Sequence, residues 1–202
     1  MRLLLDYGSD GLPVDVPDDR TVVVAPRHTP AVADPVAALA DALRHPTAGP
    51  PLAALVTGGQ RVAISVCDVT RAQPRQVMLE AIFAALPQVR DGDVSILVAT
   101  GTHRANTSEE LARMLGPEIV ARYRVVNHDA RDEASLVDAG TTSSGVPIRL
   151  HRDWMGAGVR ITTGFVEPHF FAGFSGGPKM VAPGLAGLAT DRKSTRLNSS
   201  HQ

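Results

Sequence analysis

One pattern repeats along the middle of this 202-residue chain and limits its possible folds more than any other feature. It is a short apolar run, then a polar cluster, then a segment with helical spacing. Arg61-Val-Ala-Ile-Ser-Val-Cys67 is followed by Asp68-Val-Thr-Arg71, and Pro74 opens a helix expected to run to about Leu86, where Pro87 stops it. Val94-Ser-Ile-Leu-Val-Ala99 is followed by Thr100-Gly-Thr-His-Arg104. Thr107-Ser-Glu-Glu110 is a capping box that starts the next helix, closed by Gly116-Pro117. Tyr123–Asn127 reads as a third strand with His128-Asp129 at its end, Val146–Leu150 as an edge strand, and Arg160–Thr163 as a further buried strand. Short continuous apolar runs of this kind suit strands covered on both faces. The alternation predicts an α/β fold, a Rossmann-like parallel sheet with helices on both faces. In such sheets ligands bind at the carboxyl ends of the strands. Asp68–Arg71, Gly101–Arg104, His128-Asp129 and Glu167–Lys179 all fall there.

The flanking regions are less regular. Residues 1–25 read as strands: Leu3-Leu4-Leu5 precedes a turn at Gly8-Ser-Asp-Gly11, and Thr21-Val-Val-Val-Ala25 is β-branched. Asp34-Pro35 opens a helix whose Val36, Leu39, Ala40 and Leu43 share one face. Pro46 and Gly49-Pro-Pro51 end it, and a short helical segment is expected over Leu52–Val56. Asp191-Arg-Lys-Ser-Thr-Arg-Leu-Asn-Ser-Ser-His-Gln202 is polar and aperiodic. It reads as the in-frame translation of a sequencing adapter, the other reading being a genuine disordered tail. The natural domain is therefore expected to span 1–190, with 191–202 as an unfolded appendage.

Hydrophobic content of 44% with 20% charged residues is ordinary for a soluble globular protein. A net charge of −1 gives no basic surface for nucleic acid or a membrane. No apolar run approaches the ~20 residues of a membrane span, and Met1–Asp6 lacks the features of a secretion signal. The single cysteine, Cys67, excludes an internal disulfide framework. A cytoplasmic protein is expected, without nucleic-acid or membrane partners.

The stretch Gly164–Lys179 concentrates the chemistry. Its sixteen residues hold four glycines, His169, Lys179, Ser175, Glu167 and four of the five phenylalanines, Phe165, Phe170, Phe171 and Phe174. That mixture suits a buried, shaped loop whose backbone approaches a ligand. His169 in apolar company would favour its neutral, basic form. Lys179 is either a nucleophile or covalent anchor with a lowered pKa, or an ordinary lysine at a helix start. It is not a phosphate-loop lysine, because Pro178 precedes it and Met180 follows. Arg71 offers a fork for a carboxylate and Asp68 beside it can orient it; the competing reading is an Asp cap and a solvated Arg. His103 is a general acid/base or a plain loop histidine. His128 reads as structural, and His28, His45 and His151 receive no role. No residues have metal-ligand spacing, and no nucleophile elbow occurs. These residues describe a small-molecule site without naming a reaction.

Asp68-Val-Thr-Arg71, Ala99-Thr-Gly-Thr-His-Arg104 with Thr107–Leu111, Asn127-His-Asp129 and above all Gly164–Gly184 resemble the nickel-pincer-dependent lactate racemase family, in its N-terminal domain. The resemblance implies a nickel pincer nucleotide, derived from nicotinate and tethered to Lys179, with Ser175, Gly176 and Gly177 letting backbone approach it. It implies that His103 and His169 are acid/bases on opposite faces of a small 2-hydroxy acid, which passes hydride from C2 to the cofactor and takes it back on the other face. Arg71 would hold the substrate carboxylate, with Asp68 in support. Cofactor-synthesis proteins and a C-terminal domain would be partners. The family's nickel-ligating histidine aligns with Thr195, so the metal ligand is missing from this chain, which should be inactive alone. The alternative is a non-catalytic Rossmann-like domain that binds small carboxylates.

Overall fold

The computed structural model describes residues 1–8, 10–25, 29–169 and 173–192. The chain divides into two compact units, Met1–Ala33 and Asp34–Gln202. In the first, β1 (Arg2–Leu5) and β2 (Leu12–Asp15) form an antiparallel hairpin with Leu3 opposite Val14. Gly11 closes the turn at φ +72°, donating its N–H to the Tyr7 carbonyl at 3.0 Å. The strand expected at Thr21–Ala25 does not form; Val22 and Val24 are 87% and 91% exposed. β-branched residues favour an extended backbone, but without a paired neighbour that preference makes no strand.

The second unit carries the site. α1 (Pro35–Arg44) starts where expected, with the Asp34 carboxylate accepting the Ala37 N–H at 2.9 Å, and α2 (Leu52–Leu55) follows. Then come β3 (Val62–Cys67), α3 (Arg75–Ala85), β4 (Val94–Ala99), α4 (Ser108–Leu115), α5 (Pro117–Arg122) and β5 (Arg124–Asn127). The capping box of α4 is complete: Glu110 donates its N–H to Thr107 Oγ1 at 3.2 Å, and its carboxylate accepts the Thr107 N–H at 2.8 Å. The Arg104 fork reaches the same carboxylate, and together they pull the Glu110 pKa to about 2. β6 (Leu136–Thr141) and β7 (Pro147–His151) form a separate antiparallel hairpin, followed by α6 (Arg152–Gly156), β8 (Val159–Thr162), and the two-residue strands β9 (Pro168–His169) and β10 (Gly173–Phe174).

The central sheet has the order β5-β4-β3-β8 and is parallel throughout. Alternation along β3 sends Val62, Ile64 and Val66 to one face and Ala63 to the other. On the first face they meet Leu79 and Ile82 of α3, Leu115 of α4 and Ile119 of α5. A fully buried leucine such as Leu79 or Leu115 contributes ~2–3 kcal/mol. On the second face Ala63 and Leu97 meet Leu150, Trp154 of α6, Leu185 and Ala186. Helices therefore flank both sides.

Winding explains where a ligand would sit. From β3 the chain moves outward through β4 to β5, using the first face. It then crosses to the second face through the hairpin and α6, and returns as β8 on the other edge of β3. The order reverses between β3 and β8, and loops diverging from such a point leave a crevice. Val146–Leu150 is thus not an edge of the parallel sheet; it pairs with β6, and Leu150 packs into the second core. The sequence pattern misses β6 because Asp138, Gly140 and Thr141 break its alternation, and it misses α5 and α6 because each is barely more than one turn. Residues 188–192 are helical, so regular structure crosses the point where the appended tail is expected to begin; residues 193–202 lie outside the described residues. Among the described residues no helix is long and apolar enough to cross a membrane.

Candidate active site

A cleft of about 720 Å³ opens over the carboxyl ends of β3 and β4 and is lined by Asp68, Arg71, His103, His169, Ser175–Gly177 and Lys179. The loop after β3 is its floor, and Arg75 shapes that loop. Arg75 is only 6% exposed and has no carboxylate partner among the described residues; its Nε donates to the Cys67 carbonyl at 2.8 Å and Nη1 to that of Gln73 at 3.1 Å. Nη2 reaches the carbonyls of Asp68 and of Arg71, the latter at 2.6 Å. One side chain thus gathers four loop carbonyls, while burial depresses its pKa. Gln73 adds a tie to β8: its Oε1 accepts the Cys67 N–H and its Nε2 donates to Thr163 Oγ1, both at 2.8 Å. Asn106 fixes the other side by accepting the Val69 N–H at 3.2 Å.

The loop holds its two charged residues in different partnerships. Asp68 is buried, and its Oδ2 lies 2.6 Å from His103 Nδ1. Its Oδ1 accepts from the Thr70 hydroxyl at 2.6 Å and the Thr70 N–H at 3.1 Å. Burial pushes the Asp68 pKa up, but the hydrogen bonds from Thr70 and His103 outweigh it, so the carboxyl ionises below its ordinary value. An ionised Asp68 accepts a proton-bearing Nδ1, which leaves Nε2 of a neutral His103 as its basic atom. Arg71 is oriented not by Asp68 but by Glu167, whose Oε1 takes Nη1 at 3.1 Å. The sequence places Asp68 beside Arg71; the turn at Thr70 directs the two side chains to separate partners.

The stretch after β8 forms the opposite wall. Ser175 pins it: its hydroxyl donates to the Phe165 carbonyl and accepts the Glu167 N–H at 3.1 Å, and its own N–H donates to the Glu167 carbonyl at 2.9 Å. The hydroxyl is buried in these contacts, whereas the backbone at Gly176 and Gly177 faces the cleft. Gly177 lies at φ +50° with open space where a Cβ would be, so backbone can be approached there. The expected burial of the loop holds only in part. Phe174 is 64% exposed and Val166 73%, and both line the open side of the cleft. Phe170 and Phe171 lie outside the described residues.

His169 ends β9, half-buried. Desolvation, then the nearby cations Lys179 and Arg71, lower its pKa against the opposing pull of Glu167, which favours the neutral ring. Lys179 sits in the short 3-10 turn Gly177–Met180. Burial and then Arg71 lower its pKa, which makes its amine more nucleophilic than an ordinary surface lysine. The chain contains only one other lysine, Lys193. The turn itself is anchored to β3, where Ser65 Oγ donates to the Met180 carbonyl at 3.0 Å. Gly184 closes it so tightly that a Cβ would stand 2.8 Å from the carbonyl oxygens of Lys179 and Met180.

The structure thus brings Asp68, Arg71, His103, His169, Gly176, Gly177 and Lys179 to one cleft. His128 stays in the core, with Nε2 on the Ala186 carbonyl at 2.9 Å, and His151 caps α6. Among the described residues no group of three or more His, Cys, Asp or Glu could hold a metal ion. Sequence reading missed Arg75, Gln73, Asn106 and the Glu167–Arg71 pair. One signal was available: Arg75 opens α3, where a cation opposes the helix dipole, so its charge must serve something else.

The chain matches the lactate racemase N-terminal domain family over residues 7–200. It is 38% identical over 149 residues to the lactate racemase of Lactiplantibacillus plantarum, covering 73% of this chain and 35% of that protein. It is 30% identical over 188 residues to the lactate racemase of Thermoanaerobacterium thermosaccharolyticum, covering 91% of this chain and 44% of that protein. The structure of the lactate racemase apoprotein from the same organism superposes with a TM-score of 0.78 over 95% of this chain and 45% of that one. A crystal structure of a Thermotoga maritima protein, 22% identical with a TM-score of 0.64 over 81% of this chain and 41% of that one, shares the fold. The chain spans less than half the length of these relatives. It belongs to the lactate racemase N-terminal domain family.

Proposed function

We propose that this chain is the cofactor-anchoring half of a 2-hydroxy acid racemase or epimerase, and that a further domain completes the site. The observation that carries the proposal is the convergence of Arg71, His103, His169 and Lys179 on one cleft at the switch point. Residues 1–190 would be the racemase-type domain and 191–202 foreign sequence, which resequencing across Thr190 tests.

A nickel pincer nucleotide suits the residues present. The cleft has the volume of a cofactor site, Lys179 brings a nucleophilic amine to it, and Gly177 leaves room beside the backbone. The family's nickel-ligating histidine aligns with Thr195, outside the described residues, so the protein's ligand to nickel would belong to the natural sequence beyond Thr190. When bound, the group supplies a reversible hydride acceptor. Arg71 binds the substrate carboxylate through the donors Glu167 leaves available. Asp68 holds His103 with Nε2 as the proton acceptor. His103 and His169 come from loops after β4 and β8, on opposite flanks of β3, so each can serve the hydroxyl of one enantiomer. A planar 2-oxo acid between two such groups can regain its hydrogen on either face.

The test is expression of the complete gene product with cofactor-synthesis enzymes, followed by mass analysis of the Lys179 peptide and racemisation assays on 2-hydroxy acids. A modified lysine with activity is expected, and His103→Ala and His169→Ala should each lower kcat by at least ~100-fold. An active protein with unmodified Lys179 refutes the anchoring role. Carboxylate binding that survives Lys179→Ala in a protein without racemase activity would favour a simple binding domain.

A further inference from the structure

Glu167 holds Arg71, the carboxylate-binding residue proposed above, and the pair joins the β3 loop to the loop that carries His169. Arg71 Nη1 lies 3.1 Å from Glu167 Oε1, and both side chains are roughly one-third exposed. The Glu167 backbone is held in place, because its N–H and carbonyl are both bonded to Ser175. A guanidinium has five N–H donors in a fixed plane, and a carboxylate fixed on one edge leaves the other edge for a single incoming carboxylate. The other charged side chains of the natural domain that line the cleft are Asp68 and Lys179.

We propose that Glu167 is the residue that positions Arg71 and restricts the site to substrates with one carboxylate. This rests on the racemase reading for the identity of the acid. In a loaded protein Lys179 would be tethered and uncharged, so Arg71 remains the cation of this half of the site, with the carboxylates of Glu167 and Asp68 as its anions. One carboxylate is compensated by Arg71. A second, borne on the substrate's side chain, meets like charge. A like-charge contact across ~6 Å in a partly hydrated site discriminates by about tenfold.

Titration of the complete, unloaded Lys179→Ala protein, which lacks that ammonium as the tethered protein does, with lactate and with malate tests this apart from turnover. With Glu167 in place it should bind lactate about tenfold tighter than malate. Glu167→Gln, which keeps an oxygen for Nη1 but removes the charge, should narrow that ratio to about twofold. Arg71→Ala should weaken both acids. In the loaded enzyme Glu167→Ala should raise KM for lactate about tenfold with kcat within threefold, and Glu167→Gln should restore much of the loss. A lactate-to-malate ratio unchanged in Glu167→Gln, or a Lys179→Ala protein that binds neither acid, overturns the inference. If the charge-dependent binding holds but the complete protein racemises no 2-hydroxy acid, the proposed function fails and the Arg71–Glu167 assignment stands.

Discussion

Replacing Arg75 by methionine removes the guanidinium while keeping an unbranched side chain in place. Four carbonyls lose a donor: those of Cys67, Asp68, Arg71 and Gln73. Orphaning a buried carbonyl costs ~1–3 kcal/mol; those of Asp68 and Gln73 keep the N–H groups of Arg71 at 3.3 Å and of Arg75 at 2.9 Å, so the buried Cys67 carbonyl bears most of that cost. Against this, a buried cation without a carboxylate is itself unfavourable, as the depressed Arg75 pKa reflects, and methionine relieves that cost. We expect a net loss of about 2 kcal/mol. For a cooperative unit of this size that lowers Tm by about 4–8 °C. The loop should also shift enough to misplace Asp68 and Arg71, and a misplacement of ~1 Å costs on the order of 100-fold in kcat/KM. Thermal unfolding of the complete protein gives the first quantity and racemisation kinetics the second. A Met variant with Tm within ~2 °C of wild type and normal kcat/KM would show that the loop carbonyls are satisfied without Arg75.

Two further outcomes follow from the site. Asp68→Asn should leave the fold intact but lower kcat by at least ~100-fold, because an amide no longer favours the His103 tautomer with a basic Nε2. Asp68 also gives a signed pH effect: its folded-state pKa lies below the unfolded value of ~3.9, so its contribution is fully present above that value and is lost as pH falls through the folded one. The difference in urea midpoint between wild type and Asp68→Asn should therefore shrink with acidification, and a constant difference would contradict the assignment. Gly184→Ala should destabilise by ~1–3 kcal/mol, since its Cβ meets backbone oxygen at 2.8 Å and Ala99 Cβ at 2.9 Å. The rearranged turn should slow acylation of Lys179 by an amine-reactive probe; an unchanged rate would mean that the turn tolerates the methyl group.

The sheet was legible because β3 and β4 are buried on both faces and have no polar residue that could argue for another structure except Ser65 and Ser95. The α4 boundary was legible because its cap is local, a matter of Thr107 and Glu110 alone. Contacts distant in sequence were not. Glu167 meets Arg71 across 96 residues and Gln73 meets Thr163 across 90, and no local pattern encodes either. Asp68 shows the reverse hazard. Its neighbour in sequence, Arg71, is not its side-chain partner, which lies on the next strand's loop at His103. Val22 and Val24 show that β propensity without a ladder predicts little.

Strand β3 has a partner on each edge and a core against each face. Its amides at Ile64 and Val66 should therefore exchange hydrogen only through the largest opening of the unit. The loop that follows is different in kind: it is held by side chains rather than by a ladder. Its carbonyls share one guanidinium, and its charged residues each lean on another loop. The anion grip can thus readjust by exchanging a few side-chain hydrogen bonds, with no strand bond broken. Rigidity ends and adaptability begins within one residue, at the junction of Cys67 and Asp68.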